Sequence, residues 1–137
     1  MTHESLAGLG ILVLEDELLL RKQLTAHLER LGADVTGAGT VSAARQLLAN
    51  LSFDFALLDV NLPDGRGTDL LQERAFPAHT GVIVMTANGG VTGAVEAMRL
   101  GALDYLAKPF DALELPLVIQ RVRRARQSSR AAEHRRE

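Results

Sequence analysis

Five short apolar runs, each followed by a helical pattern, constrain this chain more than any other feature. They cover residues 10–14, 33–38, 53–59, 81–86 and 104–107. The third is the most apolar, Phe53-Asp54-Phe55-Ala56-Leu57-Leu58, and it closes on a carboxylate, Asp59. Continuous apolar runs of this length predict strands covered on both faces. Strands that alternate with helices predict a parallel sheet with right-handed crossovers and helices on either side.

The expected fold is therefore α/β, a flavodoxin-like (βα)5 doubly wound sandwich. Its five-stranded parallel sheet is expected in the order 2-1-3-4-5, with a topological switch between the first and third strands. Helices are predicted over residues 18–31, 41–51, 68–75 and 91–100. Leu20, Leu24, Leu28 and Leu31 carry the first, which stops at Gly32 in the C′ position. Thr40 or Ser42 is available to cap the second. Leu70 and Leu71 are expected inside on the third, and Ala94, Val95 and Met98 on the fourth. Gly89, Gly90 and Gly93 loosen the loop at the start of that fourth helix, and Gly101 ends it. Asp111 and Glu114 have capping-box spacing for a last helix. Pro116 conflicts with so early a start, so the helix is expected to begin nearer Leu115.

The chemistry gathers at the carboxyl ends of the strands, where open α/β sheets place their sites. Glu15 and Asp16 follow the first strand, Asp59 ends the third, Thr86 ends the fourth and Lys108 follows the fifth. Each has a bland reading. Glu15-Asp16-Glu17 suits a helix N-terminus, Asp59 starts the turn Pro63-Asp64-Gly65, Thr86 caps a turn and Lys108 is a solvated lysine. Their joint placement favours a site. Carboxylates about 5 Å apart repel by roughly 3 kcal/mol per pair at an effective dielectric near 20, so the cluster calls for a cation. All-oxygen ligands without His or Cys favour Mg²⁺ over Zn²⁺. A carboxylate nucleophile beside a metal, an ammonium and a hydroxyl suits in-line phosphoryl transfer.

Four segments carry a resemblance that spans residues 9 to about 124. They are Ile11-Leu12-Val13-Leu14-Glu15-Asp16-Glu17, Leu57-Leu58-Asp59-Val60-Asn61-Leu62-Pro63-Asp64-Gly65, Val84-Met85-Thr86-Ala87 and Gly101-Ala102-Leu103-Asp104-Tyr105-Leu106-Ala107-Lys108-Pro109-Phe110. Together they resemble the receiver domain of two-component response regulators. The resemblance implies that Asp59 accepts a phosphoryl group from a histidine kinase or phosphotransfer protein. It implies that Glu15, Asp16, Asp59 and the backbone carbonyl of Asn61 hold Mg²⁺, and that Thr86 and Lys108 bind the phosphoryl oxygens. It also implies a cis peptide between Lys108 and Pro109. Thr86 and Tyr105 would form the switch, acting on a face made by the fourth helix, fifth strand and fifth helix. Such a domain is a signalling phosphoacceptor that catalyses only its own phosphotransfer and dephosphorylation. Glu15 departs mildly from the family, where Asp is commoner. The run from Ala94 to Leu106 is similar to receivers of NtrC-like transcriptional activators, which implies a C-terminal output domain, DNA-binding in that class, and a homodimer as an option.

Two other functions fit less well. A phosphohydrolase of the haloacid-dehalogenase kind expects a second Asp two residues after the nucleophile, and here Asn61 stands there. A flavodoxin expects a phosphate-cradling loop after the first strand, and here three acids stand there.

Composition adds bounds. The 137 residues suit one domain. With no cysteine, disulfides and thiolate chemistry are excluded. No apolar run is long enough for a membrane helix, and a cytoplasmic protein is expected. The charge is uneven: residues 121–137 hold seven Arg and two Glu, a net of +5, which leaves −7 on the first 120. An acidic domain is a poor nucleic-acid binder, so no direct contact with nucleic acid is expected. The division expected is an N-terminal extension at 1–8, the receiver unit at 9–125, and a basic helical extension or linker at 126–137. Leu115, Val118, Val122, Ala125, Ser129 and Ala132 keep helical spacing, and packing on the sheet is expected to end near Ala125.

Overall fold

The computed structural model describes residues 5–87 and 91–135, with the backbone alone for Val91 and residues 128–135. The elements are β1 (Gly10–Leu14), α1 (Leu18–Arg30), β2 (Asp34–Ala38), α2 (Val41–Asn50), β3 (Phe55–Asp59), β4 (Asn61–Leu62), β5 (Gly65–Arg66), α3 (Thr68–Gln72), β6 (Gly81–Thr86), α4 (Val91–Arg99), β7 (Asp104–Ala107) and α5 (Glu114–Arg135). β4 and β5 form a small antiparallel hairpin apart from the main sheet. The five main strands are all parallel in the order β2-β1-β3-β6-β7. This is the flavodoxin-like order expected from the sequence.

Alternation along the strands sorts the core into two layers. Ile11, Val13, Phe55, Leu57, Ile83 and Met85 pack with Leu24 and Leu28 of α1 and Leu115, Ile119 and Val122 of α5. Leu12, Leu14, Ala56, Leu58, Val82 and Val84 pack with Val41 and Ala44 of α2, Leu70 and Leu71, and Ala97 of α4. β3 and β6 are buried along their whole length, as continuous apolar runs require.

Local signals explain most boundaries. Gly32 ends α1 with φ +101° and its N–H donates to the Glu29 carbonyl. Thr40 caps α2 by accepting from Ala43 N–H. Asp111 and Glu114 make one arm of the capping box, with Glu114 Oε2 accepting from Asp111 N–H at 2.9 Å, while the Asp111 carboxylate accepts from Leu113 N–H at 3.0 Å.

α5 starts at Glu114, beside Leu115 as expected, and Pro116 falls in the first turn, where N–H groups lack helical partners anyway. Several expectations need correction. α4 buries Ala94 and Ala97, while Val95 and Met98 stay 51% and 43% exposed. Small side chains let the helix lie close to the sheet, so its larger residues face out. Gly93 belongs to α4 itself, and Gly89 and Gly90 lie outside the described residues. Leu6, in the stretch assigned to an extension, is fully buried, and its N–H donates to the Leu31 carbonyl. Burial along the described part of α5 stops at Val122, since Ala125 is exposed.

Candidate functional site

Strand register assembles the site. β1 and β3 pair in parallel, ending with Leu14 beside Leu58. One residue further on, Glu15 and Asp59 stand at the same level. Both continue the odd-numbered face that faces α1 and α5 (Ile11, Val13; Phe55, Leu57). Adjacent strands lie about 4.8 Å apart, so the two carboxylates must meet. They do: Glu15, Asp16 and Asp59 each offer an oxygen within 4.8 Å of the others. Glu15 is 1% and Asp59 4% exposed, whereas Asp16 faces solvent.

Lys108 arrives from the other side of the pocket. It lies two residues past Leu106 of the same core layer. Its Nζ donates to Glu15 Oε1 at 2.5 Å and to Asp59 Oδ2 at 3.0 Å. Burial pulls the Lys108 pKa down, but the hydrogen bonds to Glu15 and Asp59 outweigh it, and the ammonium is held above its ordinary value. Its own N–H donates to the Thr86 carbonyl at 2.7 Å, tying β7's end to β6. The Lys108–Pro109 peptide is cis.

The remaining oxygens are also engaged. Glu15 Oε2 accepts from Glu17 N–H at 3.0 Å, and Asp59 Oδ1 accepts from Asn61 N–H at 3.3 Å. The latter contact brings the Asn61 backbone to the pocket. Thr86 is buried at the end of β6, one residue beyond Met85, which pairs with Asp59. Tyr105 sits on β7 beside Val84 and is 45% exposed, so its ring points away from the core.

Three carboxylates against one ammonium leave two negative charges in the pocket. The donors are all oxygens, so the residues fit a hard divalent cation with open positions for water or a phosphoryl oxygen.

Three roles escaped the sequence reading. Gly67 passes so near Asp59 that a methyl group there would run into the Asp59 carbonyl oxygen, and its N–H donates to the Val60 carbonyl. Asp64 caps α2 from 22 residues away or more, accepting from Val41 and Ser42 N–H. Arg21 donates to the Glu15 carbonyl at 2.7 Å. The glycine at 67 was visible in the sequence, but only the fold shows what it approaches.

Sequence and fold match known proteins. Residues 11–120 match the family described as the response regulator receiver domain. The chain belongs to that family. It is 41% identical over 102 residues to the response regulator protein PilR of Pseudomonas aeruginosa, covering 73% of this chain and 23% of PilR. It is 38% identical over 112 residues to the DNA-binding transcriptional regulator NtrC of Azospirillum brasilense, covering 81% of this chain and 23% of NtrC. The chain thus spans about a quarter of the length of these curated relatives. Among solved structures, it resembles a Burkholderia pseudomallei response regulator with a phosphorylated aspartic acid, calcium ion and citrate. That match has a TM-score of 0.76 at 28% identity, over 90% of this chain and 74% of the other. No helix among the described residues is long and apolar enough to cross a membrane.

Proposed function

We propose that this receiver domain accepts a phosphoryl group on Asp59 from a histidine kinase or phosphotransfer protein. The observation that carries the proposal is the convergence of three carboxylates with Lys108 bonded to the acceptor itself. An Asp59 oxygen forms the new P–O bond as the donor's P–N bond breaks, and the electron pair leaves with the imidazole. Asp59 is buried and its Oδ1 is held by Asn61 N–H, so its orientation is set before the donor arrives. Lys108, and Thr86 through its hydroxyl, receive the phosphoryl oxygens. Mg²⁺ held by Glu15, Asp16, Asp59 and the Asn61 carbonyl would supply positive charge to those oxygens. Turnover is confined to the domain's own phosphotransfer and dephosphorylation.

The output face in this proposal is α4, β7 and α5. Val95, Met98, Tyr105 and Leu117 are exposed there, with Leu113 just before α5, an apolar surface that suits a homodimer partner or an output domain. Thr86 moves toward the phosphate, and Tyr105 follows inward. The receiver unit covers 9–125 with Leu6 packed into its core, and 126–137 links it to an output domain, DNA-binding as in NtrC. A cytoplasmic location is part of this reading.

The test is phosphorylation by acetyl phosphate, in Mg²⁺ and in EDTA, on wild type and Asp59→Asn, read by intact mass. One Mg²⁺-dependent phosphate that vanishes in the variant is the expected result. A phosphate that persists in the variant, or none in wild type, overturns the proposal.

A further inference from the structure

The Glu15 carboxylate is longer than the Asp common at this position, and an extra rotatable bond costs more to hold still. Its side chain has two partners, Glu17 N–H and Lys108 Nζ. Lys108 is also the group assigned to the phosphoryl oxygens, so this hold on Glu15 weakens whenever Lys108 turns to the phosphate. The backbone of Glu15 must then carry more of the load. Glu15 N–H is fixed to the Ala38 carbonyl at 3.0 Å, one residue beyond the last β1–β2 pair. Its carbonyl has left the ladder, and the donor it meets is Arg21 Nη1 at 2.7 Å.

Arg21 reaches that carbonyl along a bed made by two glycines. A Cβ on Gly37 would stand 3.2 Å from Arg21 Cδ, and one on Gly39 would stand 2.9 Å from Arg21 Nη1. Neither glycine has the positive φ that would itself require glycine. Space for the Arg21 side chain is what a methyl group would take.

We propose that Arg21 is a positioning residue for the metal pocket: its guanidinium, seated over Gly37 and Gly39, fixes the Glu15 carbonyl and through it the carboxylate beside Asp16 and Asp59. The inference rests on the Mg²⁺ reading above and deepens it. Charge and position act in opposite directions here. Arg21 is a cation near a cation site, so removing its charge alone tightens Mg²⁺ binding, whereas releasing Glu15 weakens it.

Isothermal titration with Mg²⁺ on the full chain separates the two effects, with the thermal midpoint in EDTA confirming that each variant is folded. Partners that orient metal ligands typically account for roughly 10- to 100-fold in affinity, and Arg21 acts one bond further out, so Arg21→Gln should weaken Mg²⁺ about tenfold. Gly39→Ala keeps the charge and displaces only the flexible end of Arg21, so it should fold normally and weaken Mg²⁺ in the same direction. The double variant should bind no worse than the weaker single one, because both changes break one contact. Unchanged or tighter binding by Arg21→Gln, unchanged binding by Gly39→Ala, or additive losses would overturn the inference while wild-type binding stands. Wild type that takes up no Mg²⁺ would sink the underlying reading and the inference with it.

Discussion

Lys108 Nζ lies 2.5 Å from Glu15 Oε1, across 93 residues of sequence, and the same ammonium reaches Asp59. In the metal-free protein this lysine is the cation bonded to the clustered carboxylates. Lys108→Ala should therefore destabilise the protein in EDTA. A fully buried pair costs roughly 3–5 kcal/mol to break, and Lys108 keeps some solvent contact, so about 2 kcal/mol is expected. Saturating Mg²⁺ should raise the thermal midpoint of the variant by more than that of wild type. The Lys108 pKa is raised on folding, so its contribution is complete below the ordinary value of 10.5 and is lost as pH rises through the folded value. Denaturation in EDTA at pH 8 and at alkaline pH checks both statements.

Gly67 and Gly93 should respond to alanine with opposite signs. At Gly67 the added methyl meets the Asp59 backbone, which is built into the central strand and cannot step aside. A loss of about 2 kcal/mol or more is expected, with impaired phosphorylation of Asp59. At Gly93, inside α4, a Cβ meets nothing within 4 Å among the described residues. Alanine there should stabilise by about 0.5–1 kcal/mol. Urea denaturation of the two variants provides the comparison.

The Asp64 carboxylate accepts from both Ser42 and Val41 N–H at the start of α2. Those bonds hold its pKa below the ordinary 3.8, and the Ser42 bond has the larger effect. A carboxyl whose pKa falls on folding stabilises above its unfolded value, and that stabilisation is lost as pH drops through the folded value. Asp64→Ala should lower the thermal midpoint at pH 7 by a few degrees. The gap from wild type should close as pH falls below 3.8. A gap that stays constant down to pH 2 would mean the carboxylate charge contributes nothing.

The described part of α5 contributes no buried side chain after Val122. A chain ending at Gln127 should keep its thermal midpoint within about 2 °C and lose helical circular dichroism in proportion to the residues removed. A much larger fall would show that the distal turns pack on the domain.

Much of this fold was legible because its strands are covered on both faces. Residues 81–86 and 104–107 could hardly be anything but buried or half-buried strands, and observed bounds agree. The acids, the threonine and the lysine were legible because they end those strands. What periodicity missed has a common cause. Residues 94, 95, 97 and 98 of α4 offer two apolar faces, and only the closeness of the sheet selects the alanines. Leu6 lies outside any repeating pattern, and its burial depends on the Leu31 carbonyl and the α1 core layer. Asp64 and Arg21 look like ordinary surface charges until the turns they fasten, at Val41 and Glu15, are brought beside them.

α5 continues without a break for thirteen residues beyond Val122, to Arg135. At 1.5 Å per residue, that is roughly 20 Å, of which about the last 14 Å lies beyond Arg126, whose Nη2 still donates to the Ala78 carbonyl at 3.1 Å. An arm amplifies angle into travel. A tilt of about 10° at Arg126, small enough for side chains to absorb by sliding, carries the backbone at Arg135 through roughly 2 Å. Small rearrangements around Leu115 and Ile119 are therefore magnified at the far end, as a needle magnifies the motion of a gauge.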